Sequence, residues 1–225
     1  FIFLISITYN TSSLAKRAAI IIDYDTQKVL FEINADTLNY PASLAKIMTI
    51  YIVFDYLDKD KLDWDTKFSI SKNAASQRRT KIYVEEGSYI SVNDAVRALI
   101  VKSANDVATV VAENISGSER EFAKLMTKYS KEIGMKKTTF KNASGLRNRA
   151  QLTTARDIAV LSHSLITNFP EYYKLFSERK FQWKDKTYKT HNRLMINYDG
   201  ADGIKTGYIS ESGFQLSFSA VRNNK

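Results

Sequence analysis

Between residues 44 and 57 the chain is apolar on every side. Leu44, Ile47, Met48, Tyr51, Phe54 and Leu57 recur at three- and four-residue spacing, and Ile50, Ile52 and Val53 fill the faces between them. This pattern predicts a helix buried in the middle of a domain, not one lying on its surface. The run ends in Asp58-Lys59-Asp60-Lys61 and begins after Pro41, a residue suited to opening a helix. Upstream, two short apolar runs at 18–24 and 28–33 flank Asp25-Thr26-Gln27. That link is of hairpin length, so a β-hairpin is predicted there, followed by a polar, irregular stretch at 35–40.

Downstream, residues 62–87 are polar with weak periodicity. Ser91 predicts an N-cap for a helix over 92–102, with Val92, Ala95, Val96, Leu99 and Ile100 on its inner face. The run breaks at Ser103-Ala104-Asn105-Asp106, and a second helix carrying Val107, Val110, Val111 and Ile115 ends at Gly117. An amphipathic helix over 119–133 stops at Gly134, a loop spans 142–152, and another helix covers 154–167. From residue 188 onward the pattern turns to strands, with 203–209 and 214–222 separated by Ser210-Glu211-Ser212-Gly213. Hairpin, helical middle, hairpin is an α+β order. Its simplest assembly joins the terminal hairpins into one antiparallel sheet packed against a helical subdomain.

The 225 residues suffice for a sizeable core, and 44% hydrophobic with 25% charged is an ordinary globular composition. A formal net charge of +9 points to an anionic partner or surface. The basic residues are scattered, however, and the densest group, Arg78, Arg79 and Lys81, comes with no basic helix, zinc-ligand pattern or aromatic ribonucleoprotein motif. Nucleic acid is therefore set aside, and an anionic cell envelope explains the charge equally well. There is no cysteine, so disulfide and thiolate chemistry are excluded. The first seven residues form an apolar run too short to span a bilayer, and Ser13-Leu14-Ala15 places small residues before Lys16-Arg17. Residues 1–15 thus read as the remnant of a secretory signal, with an exported domain over 16–225; a buried edge strand is the alternative.

The candidate chemistry lies at the mouth of the apolar helix. Ser43 and Lys46 are three residues apart and so share a helix face, the minimum for a serine nucleophile with an amine base. Ser-x-x-Lys alone is weak, because it recurs at Ser13–Lys16 and Ser177–Lys180. Only Ser43 stands before a buried helix, whose free amides and positive end favour an oxyanion. Ser-x-Asn likewise occurs three times. Ser71 and Ser91 are explained as N-caps, whereas Ser103–Asn105 falls in the break between two apolar helices, where polar side chains can face a shared cleft. Lys205-Thr206-Gly207 occurs once, on a predicted strand where glycine permits close approach.

Ser-x-x-Lys, Ser-x-Asn and Lys-Thr-Gly in this order are the signature set of penicillin-binding proteins and class A β-lactamases. Together with Pro-Ala-Ser-Leu-Ala-Lys-Ile-Met-Thr, Lys-Ser-Ala-Asn-Asp, the Asn-Ala-Ser-Gly-Leu of 142–146, the Thr-Thr-Ala-Arg-Asp of 153–157 and Asp-Gly-Ile-Lys-Thr-Gly-Tyr, the chain resembles the D-alanyl-D-alanine carboxypeptidases, low-molecular-weight penicillin-binding proteins, from Arg17 to Arg222. The resemblance implies a β-lactamase/transpeptidase-like fold and a substrate that is a peptidoglycan stem peptide ending in D-Ala-D-Ala. It implies that Ser43 attacks the carbonyl between the two D-alanines and that β-lactam antibiotics acylate the same serine. Lys46 would be the base, neutral because of burial and a neighbouring Lys205. Ser103 would relay a proton to the leaving amine, and Asn105 would bond the substrate backbone and Lys46. Lys205 and Thr206 would hold the terminal carboxylate, Gly207 would let the strand approach, and the backbone N–H groups of Ser43 and Tyr208 would form the oxyanion hole. His191 either lines the carboxylate site or is structural. No cofactor or metal is implied.

A class A β-lactamase shares this scaffold but adds a glutamate for deacylation, and no Glu-x-x-Leu-Asn segment lies between Asn105 and Lys205. A non-catalytic penicillin-sensing or peptidoglycan-binding module is a third reading, against which the intact Ser43, Lys46 and Lys205 weigh. Two departures from the family pattern stand out. Gln27 replaces a frequent glycine in the first hairpin turn, with strain expected if φ is positive there. The chain also stops at Asn223-Asn224-Lys225, where family members continue into a further sheet strand, so an incomplete chain with an uncovered sheet edge is expected. Membrane association would come from segments outside these residues.

Overall fold

A computed structural model describes residues 17–222. The first hairpin forms as the apolar runs predict: β1 (Ala19–Ile22) pairs antiparallel with β2 (Val29–Ile33), Ala19 opposite Ile33. The Asp23 N–H closes the turn on the Lys28 carbonyl at 2.9 Å. Gln27 adopts φ 56°, so the expected strain at this glycine-favoured position is present.

A 3₁₀ turn (Ala42–Leu44) leads into α1 (Ala45–Asp58), in which residues 45–54 and Leu57 are all buried. Three later helices pack on it, and it is buried along nearly its whole length. Each large side chain buried there contributes about 1.5–3 kcal/mol of transfer free energy. Phe54 anchors its far half, edge-on to Trp64, Phe169 and Phe176.

The polar region that follows holds more order than its periodicity indicates. β3 (Lys67–Ser69), α2 (Lys72–Ala75) and β4 (Tyr89–Ser91) form a small unit in which β3 pairs with β4. The Ser71 hydroxyl accepts from the Ala74 N–H and the Ser91 hydroxyl from the Asp94 N–H, which confirms both as N-caps. After α3 (Val92–Arg97) the chain widens into a π-type turn (Ala98–Lys102) and reverses at Ser103, φ 60°. Then come α4 (Asn105–Ser116), α5 (Glu119–Glu132) and α6 (Ala155–Asn168). The chain continues through α7 (Pro170–Tyr173), a 3₁₀ turn (Lys174–Ser177), and a hairpin of β5 (Lys180–Trp183) and β6 (Lys186–Lys189). Strand structure therefore begins at Lys180, ahead of the predicted start at 188. After α8 (Leu194–Asn197), β7 (Ala201–Ile209) and β8 (Gly213–Ala220) make the last hairpin.

The fold class is α+β, as expected. Among the described residues β1 pairs with β2 and β7 with β8, with no ladder directly between the two hairpins. A shared ladder needs strand edges about 4.8 Å apart, and here each hairpin is moored separately to α6. His163 Nε2 lies 3.1 Å from the Tyr24 carbonyl on the β1 side, and Ser162 and Ser217 hydroxyls meet at 2.8 Å on the β8 side. Leu30 and Phe31 on β2 remain 61% and 52% exposed, and Leu216 on β8 46%, so neither apolar strand is covered by the other.

Candidate active site

The N-terminal end of α1, the reversal before α4, and β7 converge on one cleft of about 850 Å³. Ser43, Ser103, Asn105, His191, Thr206, Gly207 and Tyr208 all line it. Lys46 and Lys205 lie just behind, with 0% and 3% of their surface exposed. The structure thus brings together every site residue named from the sequence. Ser177, by contrast, donates to its own helical turn at the Lys174 carbonyl, 2.7 Å away. Ser13–Lys16 and the signal reading of 1–15 lie outside the described residues.

Ser43 sits in the 3₁₀ turn, and Lys46 in the first turn of α1 puts its Nζ 3.2 Å from Ser43 Oγ. That nitrogen also lies 2.7 Å from Asn105 Oδ1 and 2.5 Å from the Ser144 carbonyl oxygen. Both oxygens only accept. A neutral amine has two N–H bonds and one lone pair; if the carbonyls take the two N–H bonds, the lone pair is left for the Ser43 hydroxyl proton. Burial pushes the Lys46 amine well below its ordinary value and the Lys205 charge pushes it the same way, against the opposing pull of Asp106 and Glu119. Burial and Lys205 thus both favour the neutral form of the amine beside Ser43.

Asn105 opens α4, and its own N–H donates to the Thr80 carbonyl at 2.7 Å. Its Nδ2 donates to the Arg78 carbonyl at 3.1 Å, so one of the two amide hydrogens is used within the protein and one is left for a ligand. Ser103, 4% exposed, has a hydroxyl with no hydrogen-bond partner. Its left-handed backbone aims it into the cleft where a helix would have carried it away; holding a non-glycine residue there costs on the order of 1–3 kcal/mol.

On the opposite wall, β7 runs so close to the nucleophile turn that a Cβ on Gly207 would stand 3.1 Å from the Ser43 nitrogen. Lys205 Nζ donates to the Thr206 carbonyl at 3.1 Å, and burial lowers the amine to about 7. Tyr208 is 58% exposed, and its ring packs on Phe214 with centroids 4.7 Å apart. His191 lines the same wall, its imidazole lowered by burial and by Lys102 and Lys205.

Sequence reasoning missed the floor of the site. The segment 142–146 appeared there only as a shared motif, yet the Ser144 carbonyl bonds Lys46 and Gly145 packs under Ala42. A local signal existed: Asn142 accepts the Gly145 N–H at 2.7 Å in the kind of side-chain turn that Asn-x-x-Gly favours.

A buried amine lowered from its ordinary value and 3.2 Å from a serine hydroxyl at a cleft is the arrangement that a serine nucleophile with a lysine base requires. Comparisons with known proteins point the same way. The profile of the D-alanyl-D-alanine carboxypeptidase family matches residues 6–225, and the chain belongs to that family. It is 38% identical to the D-alanyl-D-alanine carboxypeptidase DacF of Bacillus subtilis over 225 residues, covering 95% of this chain and 57% of that protein. Penicillin-binding protein 5 of Haemophilus influenzae superposes with a TM-score of 0.89 at 33% identity, covering 92% of this chain and 61% of that one. Penicillin-binding protein D2 of Listeria monocytogenes, solved with ampicillin bound, superposes at 0.78 and 31% identity, covering 92% of this chain and 85% of that one. The chain spans little more than half the length of the curated relatives it matches, 57% of DacF and 56% of DacC of Escherichia coli. Among the described residues no helix is long and apolar enough to cross a membrane.

Proposed function

We propose that the chain carries the catalytic domain of a serine-type D-Ala-D-Ala carboxypeptidase that trims peptidoglycan stem peptides. The observation carrying this reading is the Lys46 amine, bonded by two acceptor-only oxygens and 3.2 Å from Ser43 Oγ. Ser43 Oγ attacks the carbonyl carbon of the penultimate D-alanine as its proton passes to Lys46. The oxyanion is held by the Ser43 and Tyr208 backbone N–H groups. Collapse breaks the C–N bond; the proton returns from Lys46 through Ser103 to the amine, and D-alanine leaves. Water then hydrolyses the ester on Ser43. Lys205 and Thr206 hold the substrate's terminal carboxylate, and that charge keeps Lys205 protonated despite its burial. Asn105 holds Lys46 and orients the substrate backbone, and His191 lines the carboxylate side. A β-lactam supplies a carboxylate and a strained amide in the same relation, so it acylates Ser43; the ampicillin complex of the Listeria relative supports this. The stem peptide and the net charge of +9 fit an exported enzyme at the outer face of the cytoplasmic membrane or in the periplasm.

The test is a labelled penicillin and a D-Ala-D-Ala peptide given to the full-length protein. The expected result is stoichiometric label lost in Ser43→Ala, with D-alanine released by the parent. Fast penicillin turnover would reassign the site to a β-lactamase, and label without D-alanine release would reassign it to a penicillin sensor.

A further inference from the structure

Glu119 opens α5 behind the segment that floors the cleft, and its N-cap Ser118 fixes the helix start by accepting the Glu121 N–H at 3.2 Å. The Glu119 carboxylate accepts the Ala143 N–H at 3.3 Å. The Ala143 carbonyl in turn accepts the Thr49 hydroxyl at 2.8 Å, and the next carbonyl, of Ser144, accepts from Lys46 Nζ at 2.5 Å. Gly145 follows, pressed against the Ala42 carbonyl. Three consecutive residues are thereby tied to α1 and its leading turn from one side and to α5 from the other.

We propose that Glu119 is a positioning residue for the Ser43–Lys46 pair. It holds the 143–145 segment so that the Ser144 carbonyl takes one N–H of Lys46 while Gly145 supports the turn carrying Ser43. The inference rests on the acyl-enzyme reading above.

The electrostatic surroundings agree with a role beyond packing. Burial raises the Glu119 carboxyl, the Ala143 N–H opposes that, Glu113 on α4 adds to it, and the Lys46 amine opposes it. Lys46 faces Lys205 from β7, Asp106 from α4 and Glu119 from α5. A carboxylate at 119 therefore favours the protonated amine, and its removal favours the neutral one.

The experiment measures penicillin acylation of the full-length protein against pH for the parent, Glu119→Ala and Glu119→Gln. Alanine frees the Ala143 N–H, and the plateau rate is expected to fall on the order of tenfold as the pair loses its alignment. Glutamine keeps an acceptor oxygen for that N–H, so most of the plateau rate returns. The acid limb of its profile is expected to move to lower pH, because the charge that favoured protonated Lys46 is gone. A purely structural role would lower the melting temperature and leave the limb in place. Parent-like plateaus and limbs in both variants would overturn the assignment. If Glu119→Ala does not fold, an unmoved limb in Glu119→Gln overturns it alone. A parent that takes no label sinks the acyl-enzyme reading itself.

Discussion

Gly145 lies directly beneath Ala42: a Cβ at 145 would stand 1.8 Å from the Ala42 carbonyl oxygen and 3.0 Å from the Ser43 nitrogen. Both backbones are unusual, with φ +84° at Gly145 and 47° at Ala42. The Ser43 backbone is therefore set by a turn that only an absent side chain permits.

Gly145→Ala adds a side chain where there is no room and where φ disfavours one. A loss of about 1–3 kcal/mol of stability is expected from the backbone alone. Acylation of Ser43 is expected to slow by ~100-fold, since a displacement near 1 Å has that effect on an aligned pair. Denaturant melts and penicillin labelling rates check the two effects separately; an unchanged labelling rate would show that the contact does not aim the serine.

The Ser103 hydroxyl is buried without a partner, so its removal breaks no internal hydrogen bond. Ser103→Ala is expected to leave stability within about 0.5 kcal/mol of the parent, or slightly above it. D-alanine release is expected to drop by a factor on the order of 10²–10⁴, the usual contribution of a positioned proton-transfer group. Marked destabilisation with normal turnover would mean that Ser103 supports the fold and carries no proton.

The site residues were legible because two local signals coincided. An all-round apolar helix singled out Ser43 from the other Ser-x-x-Lys occurrences, and a break between apolar helices singled out Ser103 and Asn105. What escaped was built from backbone atoms and from distant pairs. The Ser144 carbonyl reaches Lys46 across 98 residues of sequence, and a carbonyl carries no residue signature. The aromatic layer under Phe54 comes from Phe169, at the joint between α6 and α7, and from Tyr172 and Phe176 in helical pieces of four residues, too short to show a period. The hairpin of β5 and β6 turns through Lys184 at φ 51°, with no glycine to announce it. The two terminal hairpins were each readable, but nothing local to either states whether their edges meet.

Asp106 is 0% exposed and accepts the N–H groups of Ile82, Tyr83 and Val84 at 3.3, 2.9 and 3.2 Å. The stretch of chain it holds leads back to the Arg78 and Thr80 carbonyls that orient Asn105. Asp106→Ala strands these donors and is expected to cost about 3 kcal/mol in denaturant melts. Asp106→Asn keeps one acceptor oxygen and is expected to cost less. Acylation is expected to fall in the same order, because Asn105 loses its seat.

Lys205 is charged in the unfolded chain up to about 10.4 but, by burial, only up to about 7 in the fold. Between those values the unfolded state binds more protons, so stability rises with pH, by up to about 1.4 kcal/mol per pH unit for each such lysine. Lys46 acts in the same direction, with its window opening below the ordinary lysine value. Below about 7 the full cost of burying the Lys205 charge is present. Lys205→Met removes that cost, so the variant is expected to be more stable than the parent at pH 6 and to show a shallower rise between pH 7 and 9. It is also expected to lose affinity for the terminal carboxylate, and its acylation limb is expected to move to higher pH, because Lys46 no longer faces a neighbouring cation. Urea melts across pH together with penicillin labelling separate the effects. A variant less stable than the parent at pH 6, with an unchanged slope above 7, would mean that Lys205 is not a buried cation held for function at the expense of stability.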